Sequence, residues 1–152
     1  MTRKRQTLNH GYNLHGHTLE SVKQVKYLGV TISSDLRWDS HIASITNKAS
    51  KTLGFIRRNL KIKNTKIKQA AYKALVRPVL EYASPVWDPH TETNIKTVEK
   101  IQRRAARWVL GNYKKTAKVE SMLEHLQWPT LEARRKRTRL ITFFISTMVS
   151  YK

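Results

Sequence analysis

The sequence predicts a mainly α protein: a helical bundle preceded by a small antiparallel β hairpin and a third strand. Three observations carry this. From Trp38 onward the apolar residues recur at steps of three and four, the period of a helix face. Before Ser34 they follow period two in pieces, broken by turn chemistry at His15-Gly16. The stretch Thr91–Gly111 has one apolar side and one basic side, as a single amphipathic helix would.

The elements follow in order. Gly11–Leu14 and His17–Ser21 read as a hairpin, and Gln24–Ser33 as a third strand. Three short strands are marginal alone and need helices or more sheet to cover a face. Ser34-Asp35 switches the period, placing a boundary between residues 1–34 and 35–152. In the next helix Ile42, Ile45, Ala49, Leu53, Ile56 and Leu60 form the inner stripe, and Lys48, Lys51 and Arg58 lie opposite. Asn64 or Thr65 caps a helix over Lys66–Val76, with Ile67, Ala71, Ala74 and Leu75 inward. Pro78 imposes a boundary or kink, a short helix runs to Ala83, and Pro85–His90 is a loop stiffened by two prolines.

The long helix turns Ile95, Val98, Ile101, Ala105, Trp108 and Val109 inward. Lys96, Lys100, Arg103 and Arg107 point the other way. Gly111 sits where a helix ends in a left-handed residue. A basic linker, Asn112–Lys118, leads to a short helix over Val119–Leu126. Pro129 stops it and Thr130 caps the last helix. That helix starts almost wholly cationic, with Arg134, Arg135, Lys136, Arg137 and Arg139, and becomes almost wholly apolar over Leu140–Val149.

The chain has 152 residues, which suits one domain with a small appendage. Thirty Lys and Arg against ten Asp and Glu give a formal charge of +20. The excess is spread through periodic helices rather than held in one tail, which points to a polyanionic partner, nucleic acid first. With no cysteine, disulfides, zinc knuckles and thiol nucleophiles are excluded. The N-terminus has no apolar run of the signal-peptide kind, and Leu140–Val149 is about half the length a transmembrane helix needs. No membrane partner is expected. The lack of a secretory signature favours an intracellular chain; Arg3-Lys4-Arg5 is too common a cluster to assign the nucleus.

Several residues invite sharper roles. Trp38 and Trp108 lie on apolar stripes and read as core rather than as base-stacking platforms; Trp87 and Trp128 are the other tryptophans, with Trp87 in a loop. His10, His15 and His17 lack a fourth ligand and read as hairpin surface rather than a metal site. Glu81, amid apolar residues, calls for an ion pair with Arg77 or a nearby lysine. Ser84 has no histidine in a triad-like context.

Two places carry a family resemblance. One is Val25-Lys26-Tyr27-Leu28-Gly29-Val30, followed by Leu36, Trp38, His41 and Ile42. The other is Tyr72–Trp87, with "LVRPVLEYASPVW", followed by "QRRAARWVL" at Gln102–Leu110. In this order they resemble the carboxy-terminal part of the reverse transcriptase, an RNA-directed DNA polymerase, of a non-LTR (LINE-type, jockey-like) retrotransposon. The resemblance implies that residues 1–34 are the end of the palm and 35–152 a thumb-like domain cut short at its C-terminus. It assigns Tyr27, Leu28 and Gly29 to the primer grip.

The nucleic-acid-binding set expected on this basis is Tyr27, Leu28, Gly29, Lys48, Lys51, Arg58, Lys96, Lys100, Arg103, Arg107, Arg134 and Arg137. The partner would be an RNA–DNA hybrid or duplex nucleic acid, with the missing palm and fingers as protein partners. The family's polymerase centre holds magnesium on palm carboxylates, including an adjacent Asp-Asp pair. Here the aspartates are Asp35, Asp39 and Asp88, none adjacent. The resemblance thus implies no catalytic residues and no cofactor in this chain, the magnesium belonging to the absent palm. Two other readings stay open: a stand-alone helical interaction protein using the apolar tail, and a transposon remnant without function. Oligomeric state is not legible.

Overall fold

The computed structural model describes residues 11–114 and 116–150; Arg3-Lys4-Arg5, His10 and Lys115 lie outside them. The fold is mainly α with two small antiparallel hairpins. The chain divides into two compact units, Met1–His41 and Ile42–Lys152.

In the first unit, β1 (Asn13–Leu14) pairs with β2 (His17–Thr18) across His15-Gly16, both at positive φ. The hairpin is shorter than its sequence pattern, because only two pairs of residues are in register. The expected third strand, Gln24–Ser33, is a second hairpin. β3 (Gln24–Tyr27) folds back on β4 (Val30–Ser33) through Leu28 at φ 45° and Gly29 at φ 82°. Two successive left-handed residues match the twist of paired strands, so they make a hairpin turn where period two alone reads straight through. Holding Leu28 there costs roughly 1–2 kcal/mol. The imidazole Nδ1 of His41 accepts a hydrogen bond from the Thr31 amide at 3.2 Å, tying β4 to the start of the next helix. Burial lowers the pKa of that imidazole.

α1 (Asp39–Asn59) begins at that tie and carries the chain into the second unit. It buries Ile42, Thr46, Ala49, Leu53 and Ile56, a stripe at steps of four and three. Thr46 satisfies its hydroxyl on the Ile42 carbonyl at 2.7 Å. Asn64 caps α2 (Thr65–Ala71), its side chain accepting from the amides of Lys66 and Ile67.

The chain then departs from the expected single helix to Val76. Tyr72–Val76 is a π-helical turn, closed by the Arg77 amide on the Tyr72 carbonyl, and α3 (Arg77–Glu81) follows with Pro78 in its first turn. Proline lacks an amide hydrogen and clashes with the preceding turn of an α-helix. The wider turn absorbs this without breaking the helix. It also moves the inner face. Tyr72 and Val76 are buried, while Leu75, expected inward, is 55% exposed and Ala74 is exposed as well; Ile67, also expected inward, is 44% exposed, but it precedes the π turn and owes nothing to it.

Pro85–His90 is not simply a loop. Ala83, left-handed at φ 52°, turns the chain into α4 (Ser84–Trp87). This buries Trp87 completely, and its indole N–H donates to the Tyr82 carbonyl at 2.7 Å.

α5 (Glu92–Leu110) ends at Gly111, whose φ of 65° closes the C-terminus on the Arg107 and Trp108 carbonyls. Val98, Ala105 and Val109 lie at the centre of the core; Ile95, expected inward, is half-buried. α6 (Val119–His125) buries Met122 and Leu123. The Thr130 hydroxyl accepts from the Ala133 amide at 3.1 Å and caps α7 (Leu131–Ser150). A buried polar chain crosses this core: the Tyr72 hydroxyl donates to Gln102 at 3.1 Å, and Gln102 donates to the Pro129 carbonyl at 2.9 Å. Tyr72 also stacks on Trp128 at 4.4 Å, so both rings are core.

Candidate nucleic-acid interface

Residues expected to meet nucleic acid fall in four places, the last of them Arg134 and Arg137 on α7. Tyr27, Leu28 and Gly29 meet at the tip of the β3–β4 hairpin, where Tyr27 and Leu28 are 64% and 74% exposed. Lys48, Lys51 and Arg58 lie exposed on α1. Lys96, Lys100 and Arg103 are exposed on α5, with Arg107 half-buried. Side chains link α1 to α5 and to the residues just past its end. Arg104 donates to Ser50 at 2.9 Å, and further along Arg57 lies 5.7 Å from the Tyr113 ring.

The stripe on α5 is not uniformly available. Lys96 pairs with Glu92 at 2.7 Å, one turn before it, and this contact lowers the Glu92 pKa. Arg103 meets Glu120 of α6 at 3.6 Å. Both pairs are well exposed, so each is weak and yields to a phosphate. Among the described residues no carboxylate lies within ion-pair distance of Lys100, Arg107, Lys48, Lys51 or Arg58. The sequence pattern also missed Lys68. It donates to the Trp108 carbonyl at 3.4 Å and sits 5.8 Å from that ring, a cation at the C-terminal end of α5.

The cationic start of α7 divides by direction. Arg134 grips Glu81 through two nitrogens, Nε to Oε1 and Nη2 to Oε2, and Arg77 adds a contact to Glu81 at 3.7 Å. Arg135 is buried and donates from Nε to Asp88 at 3.0 Å; Arg139 donates to the other Asp88 oxygen at 3.0 Å. Arg134 therefore serves a fork–fork pair that holds α7 to α3, and Glu81 finds its main partner here rather than in Arg77. Lys136 and Arg137 face outward. The start of α7 is held further by Glu99, buried on α5, which accepts the Glu132 amide at 2.8 Å. Burial raises the Glu99 pKa, against the lowering effect of that amide and of Arg135.

The aspartates are also accounted for. Asp35 accepts the Arg37 amide at 3.0 Å, Asp39 pairs with Arg37 at 2.7 Å, and Asp88 holds the two arginines of α7. Among the described residues no three histidine or carboxylate side chains gather as a metal site would require.

No family model matches the chain, and no solved structure matches it. Two curated relatives do. One, from Drosophila melanogaster, is described as the probable RNA-directed DNA polymerase from transposon BS; it is 29% identical over 97 residues, 62% of this chain and 11% of that protein. The other, also from Drosophila melanogaster, is described as a 115 kDa protein in the type-1 retrotransposable element R1DM; it is 28% identical over 75 residues, 47% of this chain and 7% of that protein. The matched stretches thus span about a tenth or less of these relatives. Together with the ordered motifs from Tyr27 to Leu110, they make this chain a relative of the RNA-directed DNA polymerases of non-LTR retrotransposons.

Proposed function

We propose that this chain is the primer-grip and thumb region of such a reverse transcriptase and that it holds nucleic acid by the phosphate backbone. In this proposal residues 1–34 end the palm and 35–152 are the thumb. The observation that carries it is the set of cations on α1 and α5, exposed or half-buried, that have no carboxylate partner among the described residues, on a chain of charge +20. Such faces follow phosphates without reading bases. The hairpin tip offers a second contact, where Gly29 lets backbone come close to a strand. All three aspartates have structural partners, which supports a chain without its own polymerase centre. The partner is an RNA–DNA hybrid or duplex.

The test is affinity for an RNA–DNA hybrid across a salt series. Lys48, Lys51, Arg58, Lys100 and Arg107 are changed to Gln together, with circular dichroism to show that the fold persists. The wild-type chain should lose affinity steeply with salt, and the variant should flatten the logarithmic slope by roughly 4. A folded wild-type chain with no affinity at low salt, or a variant with an unchanged slope, overturns the proposal.

A further inference from the structure

α1 carries one large apolar side chain that the core does not use. Ile42, Leu53 and Ile56 are buried, whereas Phe55 is 61% exposed. At about 100° per residue Phe55 lies on the side of the helix opposite that stripe. Lys48, Lys51 and Arg58 are exposed on the same side, and with Phe55 they span an arc of about 80°. Lys51 precedes the ring by four residues and Arg58 follows it by three. Both therefore stand beside it, about 5–6 Å away between Cβ atoms. Arg58 also lies back over Gly54, where an added Cβ would stand 3.4 Å from its Nη1. This brings the Arg58 charge to the turn that holds Phe55.

The charges decide what meets this ring. Residues 40–80 hold ten Lys and Arg and no Asp or Glu. Among the described residues Lys48, Lys51 and Arg58 have no carboxylate within ion-pair distance. A surface laid on this side of α1 meets all three cations together with the ring, so it must carry negative charge. A nucleic-acid strand offers both halves of the match: phosphates for the cations and an apolar base face for the ring. Bases in a duplex are stacked on their neighbours, so a side chain meets only their edges. An unpaired base offers its face. Phenylalanine has no side-chain donor or acceptor, so this contact tolerates any base.

We propose, resting on the phosphate-holding role proposed for α1, that Phe55 is a stacking platform for an unpaired base. The ligand of this face is then a single-stranded stretch running on from the hybrid, held by its phosphates on Lys48, Lys51 and Arg58. Phe55 has no part in the core, and alanine is the better helix former, so Phe55→Ala keeps the fold.

The test uses two RNA–DNA hybrids with single-stranded overhangs of equal length. One overhang carries bases throughout; the other is abasic, with the same phosphates. The full chain should bind the base-bearing overhang at least about 5-fold tighter. Phe55→Ala should abolish that difference and leave the salt dependence unchanged, because no charge is lost. Its thermal unfolding by circular dichroism should come no earlier than in the wild type. Phe55→Trp should restore the preference. Equal wild-type affinity for the two overhangs overturns the proposal, as does a preference that survives Phe55→Ala; phosphate binding by α1 then stands without a stacked base. An equal loss on both overhangs in Phe55→Ala also overturns it, since the ring then acts on something other than a base, such as an acidic protein surface. No binding of either hybrid at low salt removes the phosphate-holding role itself, and the stacking with it.

Discussion

Asp88→Asn should be among the most damaging single changes in the molecule, although Asp88 is a small residue at the end of a one-turn helix. Its carboxylate receives Arg135 on one oxygen and Arg139 on the other, both at 3.0 Å. The Arg135 side chain is 0% exposed, and its two terminal nitrogens have no hydrogen-bond partner among the described residues. Neutralising Asp88 leaves a buried guanidinium without its ion-pair partner, offset only by the weaker field of Glu99. Breaking a buried pair from one side costs about 3–5 kcal/mol, against a total stability of about 5–15 kcal/mol. For a chain of this length that corresponds to a fall in melting temperature of about 6–20 °C. Urea and thermal unfolding followed by circular dichroism read it directly. Glu92→Gln, which breaks an exposed pair with Lys96 at 2.7 Å, is the control and should leave the unfolding transition almost unchanged. Asp88→Asn with Arg135→Met should recover most of the loss, because the unpaired charge is gone. A loss under about 1 kcal/mol for Asp88→Asn, or no recovery in the double variant, refutes the assignment of this pair as the tie that holds α7.

Glu99 binds its proton more tightly when folded, because burial raises its pKa. Between the unfolded value near 4.5 and the higher folded value the native state holds more protons, so this group's contribution to stability falls as pH rises through that window. Glu99→Gln keeps an acceptor for the Glu132 amide and should flatten that part of a stability–pH curve; an unchanged curve speaks against it. Leu28→Asn should stabilise the β3–β4 hairpin by up to about 1 kcal/mol, since asparagine tolerates the left-handed region better. If it also weakens hybrid binding, the lost contact is the leucine side chain and not the fold. Lys100→Gln should reduce hybrid affinity more than Lys96→Gln, because Lys96 must first leave Glu92; equal losses at low and moderate salt would show that the Glu92 pair does not matter.

Part of the local grammar of this chain was legible in its sequence. The inner stripe of α1, the Asn64 cap, the span of α5 with its glycine terminus and the Thr130 cap all depend on residues within one or two helical turns. What one strand pattern could not show was the turn at Leu28-Gly29, because leucine is an unusual residue to hold a left-handed position. Nor did periodicity foresee the π turn before Pro78. One widened turn rotates every later side chain, which exchanged Leu75 for Val76 on the buried side.

The interface divided in the same way. The basic side of α5 is written in its spacing, but whether each cation is free depends on acids from other elements, as Arg103 and Glu120 show. α7 is the clearest case. Its arginines read as one charged block, yet Arg134 and Arg135 find their carboxylates 53 and 47 residues earlier in the chain. A sequence by itself determines which faces are apolar or charged, since that needs only the repeat of the backbone. Which charges are buried, paired or left for a partner was decided by tertiary structure, because desolvation and Coulomb attraction act across space between segments far apart in the chain.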